Sequence, residues 1–364
     1  MPTSEIAERF LRGEEVPLAV NQIATDLSRL WQAAPVAHDF KSTLLVRMSN
    51  PALIDQISAT LRAFAQSQSC RILLLVLNPH SEQEELIATA TAIIAAPVAS
   101  EQVLLLVSGA SVARVADLAA PLVLTDAPLV CWFAQGIPEE TPLLARWLNK
   151  APQIIFDSLS AEDLGLTLAR ANALHESTSR LVDLNWQRLA PWLSVLDEIF
   201  TKPETASSLA GIEKISFLVG GEVLDENQIS QPVLLLSWLA QRLGWELVET
   251  FDYAQGAFRG VWEKDGREFG TEIKNTNAAT TELRALSINA RAGEEQIVLS
   301  IARAESEAGE VLQAKLSRGA QEMELSKRVI GAIPTISDLL LGKLESQAFE
   351  SNYQTTLALA TKLI

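Results

Sequence analysis

The chain is poor in the residues that usually announce chemistry. Its 364 residues include two cysteines, three histidines, two tyrosines and three methionines. Cys70 and Cys131 lie in separate segments and form no Cys-x-x-Cys pair. That excludes a disulfide framework and a zinc ribbon, and a reduced, cytoplasmic setting is expected. In separate predicted strands the two thiols are not expected at disulfide distance. His38, His80 and His175 are isolated, with no second histidine at helical spacing, so a metal cage lacks ligands. Lys and Arg number 29 against 45 Asp and Glu, a net charge of −16. Without a basic block the chain lacks what draws a phosphate backbone or an anionic leaflet, so neither nucleic acid nor membrane is an expected partner. The longest apolar runs, such as Ile72–Leu77 and Val103–Val107, fall far short of the ~20 residues of a spanning helix. The polar N-terminus reads as carrying no signal core.

Nucleotide and nucleophile signatures are missing too. The first strand-to-helix turn reads Met48-Ser49-Asn50-Pro51, without the glycine that close approach of a pyrophosphate needs. There is no GxxxxGK[ST] and no G-x-S-x-G elbow, so neither a P-loop nor an α/β-hydrolase is expected. No cofactor and no catalytic residue is assigned.

What is present is an ordered alternation. Residues 1–40 pattern as an amphipathic helical arm, interrupted near Pro17. From 41 to about 180, near-continuous apolar runs at Thr43–Met48, Ile72–Leu77, Val103–Val107, Leu129–Phe133 and Gln153–Phe156 read as strands buried on both faces. Helical patterns at Pro51–Ala65, Ser81–Ile94, Val112–Leu118, Thr141–Leu148 and Ala161–Leu174 lie between them, Asn50 and Ser81 serving as caps. The expected first domain, 41–205 with a connecting helix at 181–205, is α/β with a mainly parallel, helix-flanked, Rossmann-like sheet. A Lys202-Pro203-Glu204 to Ser208 linker follows. The second domain, 206–364, has a strand at Ile215–Val219, a helix at Pro232–Leu243 stopped by Gly244, and six short runs between Phe258 and Val329 separated by turn signals. It reads as α+β with an antiparallel meander, closed by helices at Ser337–Gln347 and Asn352–Lys362.

Two groups of residues are candidates for function. Ser108, Thr125, Asp126, Asp157 and Ser158 fall near expected strand ends, where α/β proteins assemble ligand sites. They define one reading, an enzyme or sensor for a small phosphorylated metabolite, although Asp and Ser there equally suit helix capping. The second group comes from the odd aromatic balance, eight tryptophans against two tyrosines. Asp183, Asn185, Trp186, Arg188 and Trp192 cluster in one decapeptide, and Trp238, Arg242 and Trp245 in the segment Leu234–Trp245. Trp and Arg dominate protein interfaces, so these eight are read as a partner-binding or interdomain group.

The same segments carry a resemblance. Ser69–Val76, with Cys-Arg before an aliphatic run, Asp126–Phe133, Phe156-Asp157-Ser158, Asp183–Trp192 and Leu234–Trp245 together resemble the OpcA family, the glucose-6-phosphate dehydrogenase assembly proteins, in the family's order. Ala127 and Phe133 depart from its leucine and tryptophan, and Leu193 from a frequent arginine. The resemblance implies a protein that is not an enzyme. It would bind glucose-6-phosphate dehydrogenase, favour its active state and so promote flux through the oxidative pentose phosphate pathway. It also implies a link to thioredoxin control in photosynthetic bacteria.

Overall fold

A computed structural model describes residues 4–33, 39–139, 147, 150–151, 153–177, 181–202, 205, 211–278, 280–307, 309–330, 334–345 and 351–364. The chain forms two compact units, each assembled from three stretches. The first comprises 1–161, 173–184 and 335–348, the second 162–172, 185–334 and 349–364. Residues 185–205, which the sequence pattern assigns to the first domain, therefore group with the second unit.

The first unit is built on an eight-stranded sheet. Its strands in chain order are β1 (Val16–Pro17), β2 (Thr43–Met48), β3 (Arg71–Asn78), β4 (Glu85–Ala95), β5 (Val98–Ser108), β6 (Leu129–Phe133), β7 (Gln153–Phe156) and β8 (Leu181–Asp183). They lie in the order β1-β4-β5-β3-β2-β6-β7-β8, with every pairing from β5 to β8 parallel. The expected parallel core is thus present, and its strands are buried on both faces, as their unbroken apolar runs require. Two elements differ. The segment 81–94, expected as a helix, is largely β4, antiparallel to β5 and flanked by β1. Its Ala-Thr-Ala-Thr core buries alternate alanines at 88, 90 and 92, a period of two that alanine's helix preference masks. Ser81 then caps no helix, since its hydroxyl exchanges bonds with Gln83. Residues 181–183, expected as the start of a helix, form β8. The expected helix Thr141–Leu148 and the Lys202–Ser208 linker lie mostly outside the described residues.

One core layer of this unit lies between the sheet and the helix α1 (Ile54–Ala65). Leu44, Val46, Ile72, Leu74 and Trp132 meet Ile57, Leu61 and Phe64 of that helix, together with Leu340 from the distant helix Ile336–Glu345. Asn50 starts the α1 region as expected: its side chain accepts from Ala52 N at 3.0 Å, just ahead of Pro51.

The second unit carries another eight-stranded sheet: β9 (Ile212–Gly220), β10 (Glu246–Ala254), β11 (Ala257–Lys264), β12 (Arg267–Thr276), β13 (Leu283–Ala292), β14 (Glu295–Ser306), β15 (Gly309–Arg318) and β16 (Gln321–Val329). The order is β10-β11-β12-β9-β13-β14-β15-β16. All pairings are antiparallel except β9 with β12. The meander is therefore split by β9, which enters between β12 and β13. β10 has no counterpart among the expected strands because nearly all its residues are exposed, leaving no alternation to see. The helix Ser230–Leu243 between β9 and β10 ends on Gly244 at φ +69°, the left-handed cap that favours glycine.

Candidate functional site

The Asp183–Trp192 decapeptide spans the point where the chain leaves the first unit and enters the second, between residues 184 and 185. Its side chains divide at the same point. Asp183 is buried and accepts from the backbone N–H of Ser158 at 3.0 Å and from the Ser158 hydroxyl at 2.7 Å, both within the first unit. Leu184 joins that unit's core. Asn185, fully buried, serves the second unit. Its Nδ2 donates to Ser230 Oγ and its Oδ1 accepts from Gln231 Nε2, both at 3.0 Å. Gln231 in turn accepts from the backbone N–H of Leu283, the first residue of β13, at 2.7 Å. Asn185 thus holds the start of the 230–243 helix, and Gln231 ties that start to β13.

The tryptophans follow the same inward pattern. Trp186 packs on Tyr353, ring centroids 5.4 Å apart, and Trp192 is 1% exposed on the helix Ala190–Thr201. Trp245 meets Phe269 edge-on at 5.0 Å and Trp262 at 6.4 Å. Trp238 is buried beneath Arg242, whose guanidinium lies 5.4 Å from its ring and pairs with Asp197 at 2.5 Å. Arg188 is also buried. Of the eight residues read as partner-binding or interdomain, seven are buried and Arg242 alone is exposed. The structure brings Asn185, Trp186, Trp238 and Trp245 into one unit's interior rather than onto a common outer surface.

The small-ligand group does not assemble. Ser108, Asp157 and Ser158 lie at the C-terminal ends of parallel strands, whereas Thr125 and Asp126 precede β6, at the opposite end of the sheet. Ser108 donates to Gln83 O at 2.8 Å. Asp157 caps the turn after β7 through Leu159 N at 3.1 Å and Ser160 Oγ at 3.3 Å. Thr125 and Asp126 line a cleft of about 350 Å³ with Asp39, Phe40 and Arg71. Arg71 is already committed there: it pairs with the fully buried Glu101, donates to Leu122 O at 2.9 Å and lies over the Phe40 ring. With two carboxylates, Asp39 and Asp126, in its lining and the Arg71 charge already paired with Glu101, the cleft is ill matched to a phosphate.

A residue that belongs to no sequence motif occupies the most telling position. In a doubly wound sheet a dinucleotide sits where the strand order reverses, its pyrophosphate on the first strand-to-helix turn. Here the order reverses at β2, between β3 and β6. The turn after β2 is filled from within: Gln135, just beyond β6, accepts from the backbone N–H groups of Ser49 at 2.8 Å and Asn50 at 2.9 Å. The donors that would cradle a phosphate are spent on a side-chain amide. Nothing local in the sequence marks this, because the two segments are distant along the chain and join across the sheet.

The two thiols are equally unavailable. Cys70 and Cys131 are fully buried, and burial pushes each thiol up to about 12. Cys131 pairs with Leu45 of β2, and Cys70 immediately precedes β3 on the other side of that strand, so a whole strand separates them. Among the described residues no group of three His, Cys, Asp or Glu side chains is placed to hold a metal. No helix among them is long and apolar enough to cross a membrane.

Comparison with known proteins places the whole decapeptide in one matched region. A protein of Synechocystis sp. PCC 6803 that carries the name OxPP cycle protein OpcA is 30% identical over 145 residues, 40% of this chain and 29% of that protein. Its namesake in Nostoc punctiforme is 23% identical over 269 residues, 70% of this chain and 55% of that protein. The matched stretches thus span between about a third and about half of those relatives. Among solved structures, a biliverdin reductase from Synechocystis sp. PCC 6803 aligns over 89% of this chain and 96% of its own, with 8% identity and a TM-score of 0.44, a likeness too weak to bear on function. Residues 62–173 match the family described as glucose-6-phosphate dehydrogenase subunit N-terminal domain, and residues 179–328 the one described as the C-terminal domain of the same subunit. With both of its domain families matched in order, the chain belongs to the OpcA family.

Proposed function

We propose that this chain is a non-catalytic partner of glucose-6-phosphate dehydrogenase that promotes the enzyme's assembly or its active conformation, and through it the oxidative pentose phosphate pathway. The observation that carries this reading is the filled turn at Ser49 and Asn50. The fold is of the kind that holds a dinucleotide, yet the two backbone donors best placed for a pyrophosphate are occupied by Gln135. Family membership supplies the dehydrogenase as the partner.

Activation of this sort requires the protein to bind the active state of the enzyme more tightly than the inactive one. A tenfold preference corresponds to about 1.4 kcal/mol of coupling. Titrating the purified chain into the cognate dehydrogenase, with sedimentation and steady-state rates read together, tests the proposal. A complex with a lowered KM or raised kcat is expected. Absence of any complex at micromolar concentrations, with unchanged kinetics, would refute it.

A further inference from the structure

An edge strand presents backbone N–H and C=O groups that its own sheet leaves unpaired. The first sheet ends in β1 and β8, two and three residues long, too short to pair with more than a fragment. The second ends in β10 and β16, nine residues each. β10 is ill suited to a further strand. Its Phe251 N–H already donates to Leu363 O at 3.1 Å, and two register irregularities bend it. Its exposed charges, Glu246, Glu249 and Asp252, are all of one sign. β16 differs on each count. Among the described residues nothing bonds its outer backbone groups. Seven of its nine residues are exposed, Met323 at 55% and Val329 at 60%, and its charges are of both signs.

The order of those charges says what the edge fits. Gln313 and Lys315, two residues apart on β15, share a face and pair with Lys327 and Glu324. Glu324 and Lys327 therefore share that face as well, because Leu325 forms a bulge between them. Glu322, opposite Ser317, and Val329, opposite Val311, continue the row. The row thus reads acid, acid, base, apolar. Lys315 pairs with Glu322 at 2.7 Å and Gln313 donates to Glu324, whereas Lys327 makes no ion pair among the described residues. A second β16 laid antiparallel beside the first is related to it by a two-fold axis. With the axis between Leu325 and Ser326, Glu324 of each copy stands opposite Lys327 of the other, and Glu322 opposite Val329. On the other face Met323 stands opposite Arg328. The two bulges meet at the axis, so every opposed pair lies on one face. Moving the axis onto Leu325 sets residues of opposite faces against each other, and moving it onto Met323 sets Glu322 against Glu324. Charges and a bulge normally keep an edge from pairing indiscriminately. Here the same devices admit one antiparallel register of a second copy.

We infer that β16 is a self-pairing edge, which joins two copies of this chain through reciprocal Glu324–Lys327 pairs into a two-fold dimer with one continuous sheet. The inference does not depend on the proposed function. A seam of one strand pair buries less than the ~1,600 Å² of a standard interface, so the dimer is weak and concentration-dependent. Sedimentation velocity of the full chain, from about 5 to about 500 µM, compares wild type, Glu324→Lys, Lys327→Glu and the double swap Glu324→Lys/Lys327→Glu, each first shown folded by circular dichroism. Wild type should dimerise within this range. Each single reversal sets like charges opposite one another at two places, since the axis repeats them, and should raise the dimer Kd about tenfold or more. The double swap should restore it to within about threefold, and the two single variants mixed should pair with each other more tightly than either does alone. Amide exchange in β16 should slow as wild type is concentrated. A wild type that stays monomeric overturns the inference, as does a dimer whose Kd moves less than twofold in both single variants. Protection of β16 that arises only when the cognate dehydrogenase is added assigns the edge to that enzyme, and equally overturns self-pairing.

Discussion

Asn185 offers the sharpest test of whether the tryptophan-rich decapeptide faces inward. Replacing it with alanine removes the acceptor of Gln231 Nε2 and the donor to Ser230 Oγ, both in a fully buried setting. Each buried polar group left without its partner costs about 1–3 kcal/mol, so a loss of about 3–4 kcal/mol is expected from the two. Gln231 then also loses the fixed orientation in which it receives Leu283 N. For a unit of this size each kcal/mol shifts Tm by about 2–4 °C, so the second unit should melt roughly 10 °C lower. Differential scanning calorimetry measures this directly, and a Gln231→Ala partner variant completes a double-mutant cycle expected to show coupling of about 1–2 kcal/mol. If Asn185→Ala melts within a degree of wild type but binds the dehydrogenase more than tenfold more weakly, the inward assignment is wrong and the decapeptide is a docking element.

The thiols should resist native-state chemistry. With both held at about 12 by burial, Cys70 and Cys131 are expected to react with iodoacetamide at pH 8 only after denaturant is added, as mass spectrometry would show; rapid native labelling of either refutes their burial. The sign for stability follows: a raised thiol contributes stability below its ordinary value near 9, and that contribution is lost as pH climbs towards 12. Glu272 works in the opposite direction. Its cations, Lys214 first among them, hold it down at about 2, so it contributes stability above the ordinary carboxylate range that is lost as pH falls from about 4.5 to about 2. Because the cations are nearly half exposed, about 2 kcal/mol is expected rather than the full shift, and Glu272→Gln should flatten the acid limb of a urea-stability profile over that window. Finally, Gln135→Ala should lower stability by about 1–3 kcal/mol by stranding the Ser49 and Asn50 N–H groups. Wild type should show no thermal shift with NADP at about 1 mM; a clear stabilisation would contradict the filled turn.

Local physics accounts for what is legible in the sequence. The parallel strands β2, β3, β6 and β7 are nearly continuous apolar runs, and their expected and observed bounds agree within a residue or two. The same holds for the Gly244-capped helix and most of the meander. β4 is hidden because Ala-Thr repeats carry little hydrophobic contrast, and alanine in such a run weighs towards a helix. β8 is three residues long and flows into the following helix, so its apolar residues pattern as helical. The parallel pairing of β9 with β12 rests on a long-range register with no local signature. The residues that matter most for the functional reading are the least visible. Gln135 belongs to no motif, and it acquires its meaning from the Ser49 and Asn50 N–H groups that the fold brings in from another segment.

The tryptophan motif then asks why residues so enriched in interface chemistry are buried. The division of Asp183 and Asn185 answers this in part. Each unit spends one polar side chain of the tripeptide on its own interior, Asp183 on the Ser158 turn and Asn185 on Ser230 and Gln231. Neither residue can be exchanged for an apolar one without stranding buried donors, so the motif is held in place by folding, independently of any partner. Strong constraint on a motif is thus no guide to where a partner docks.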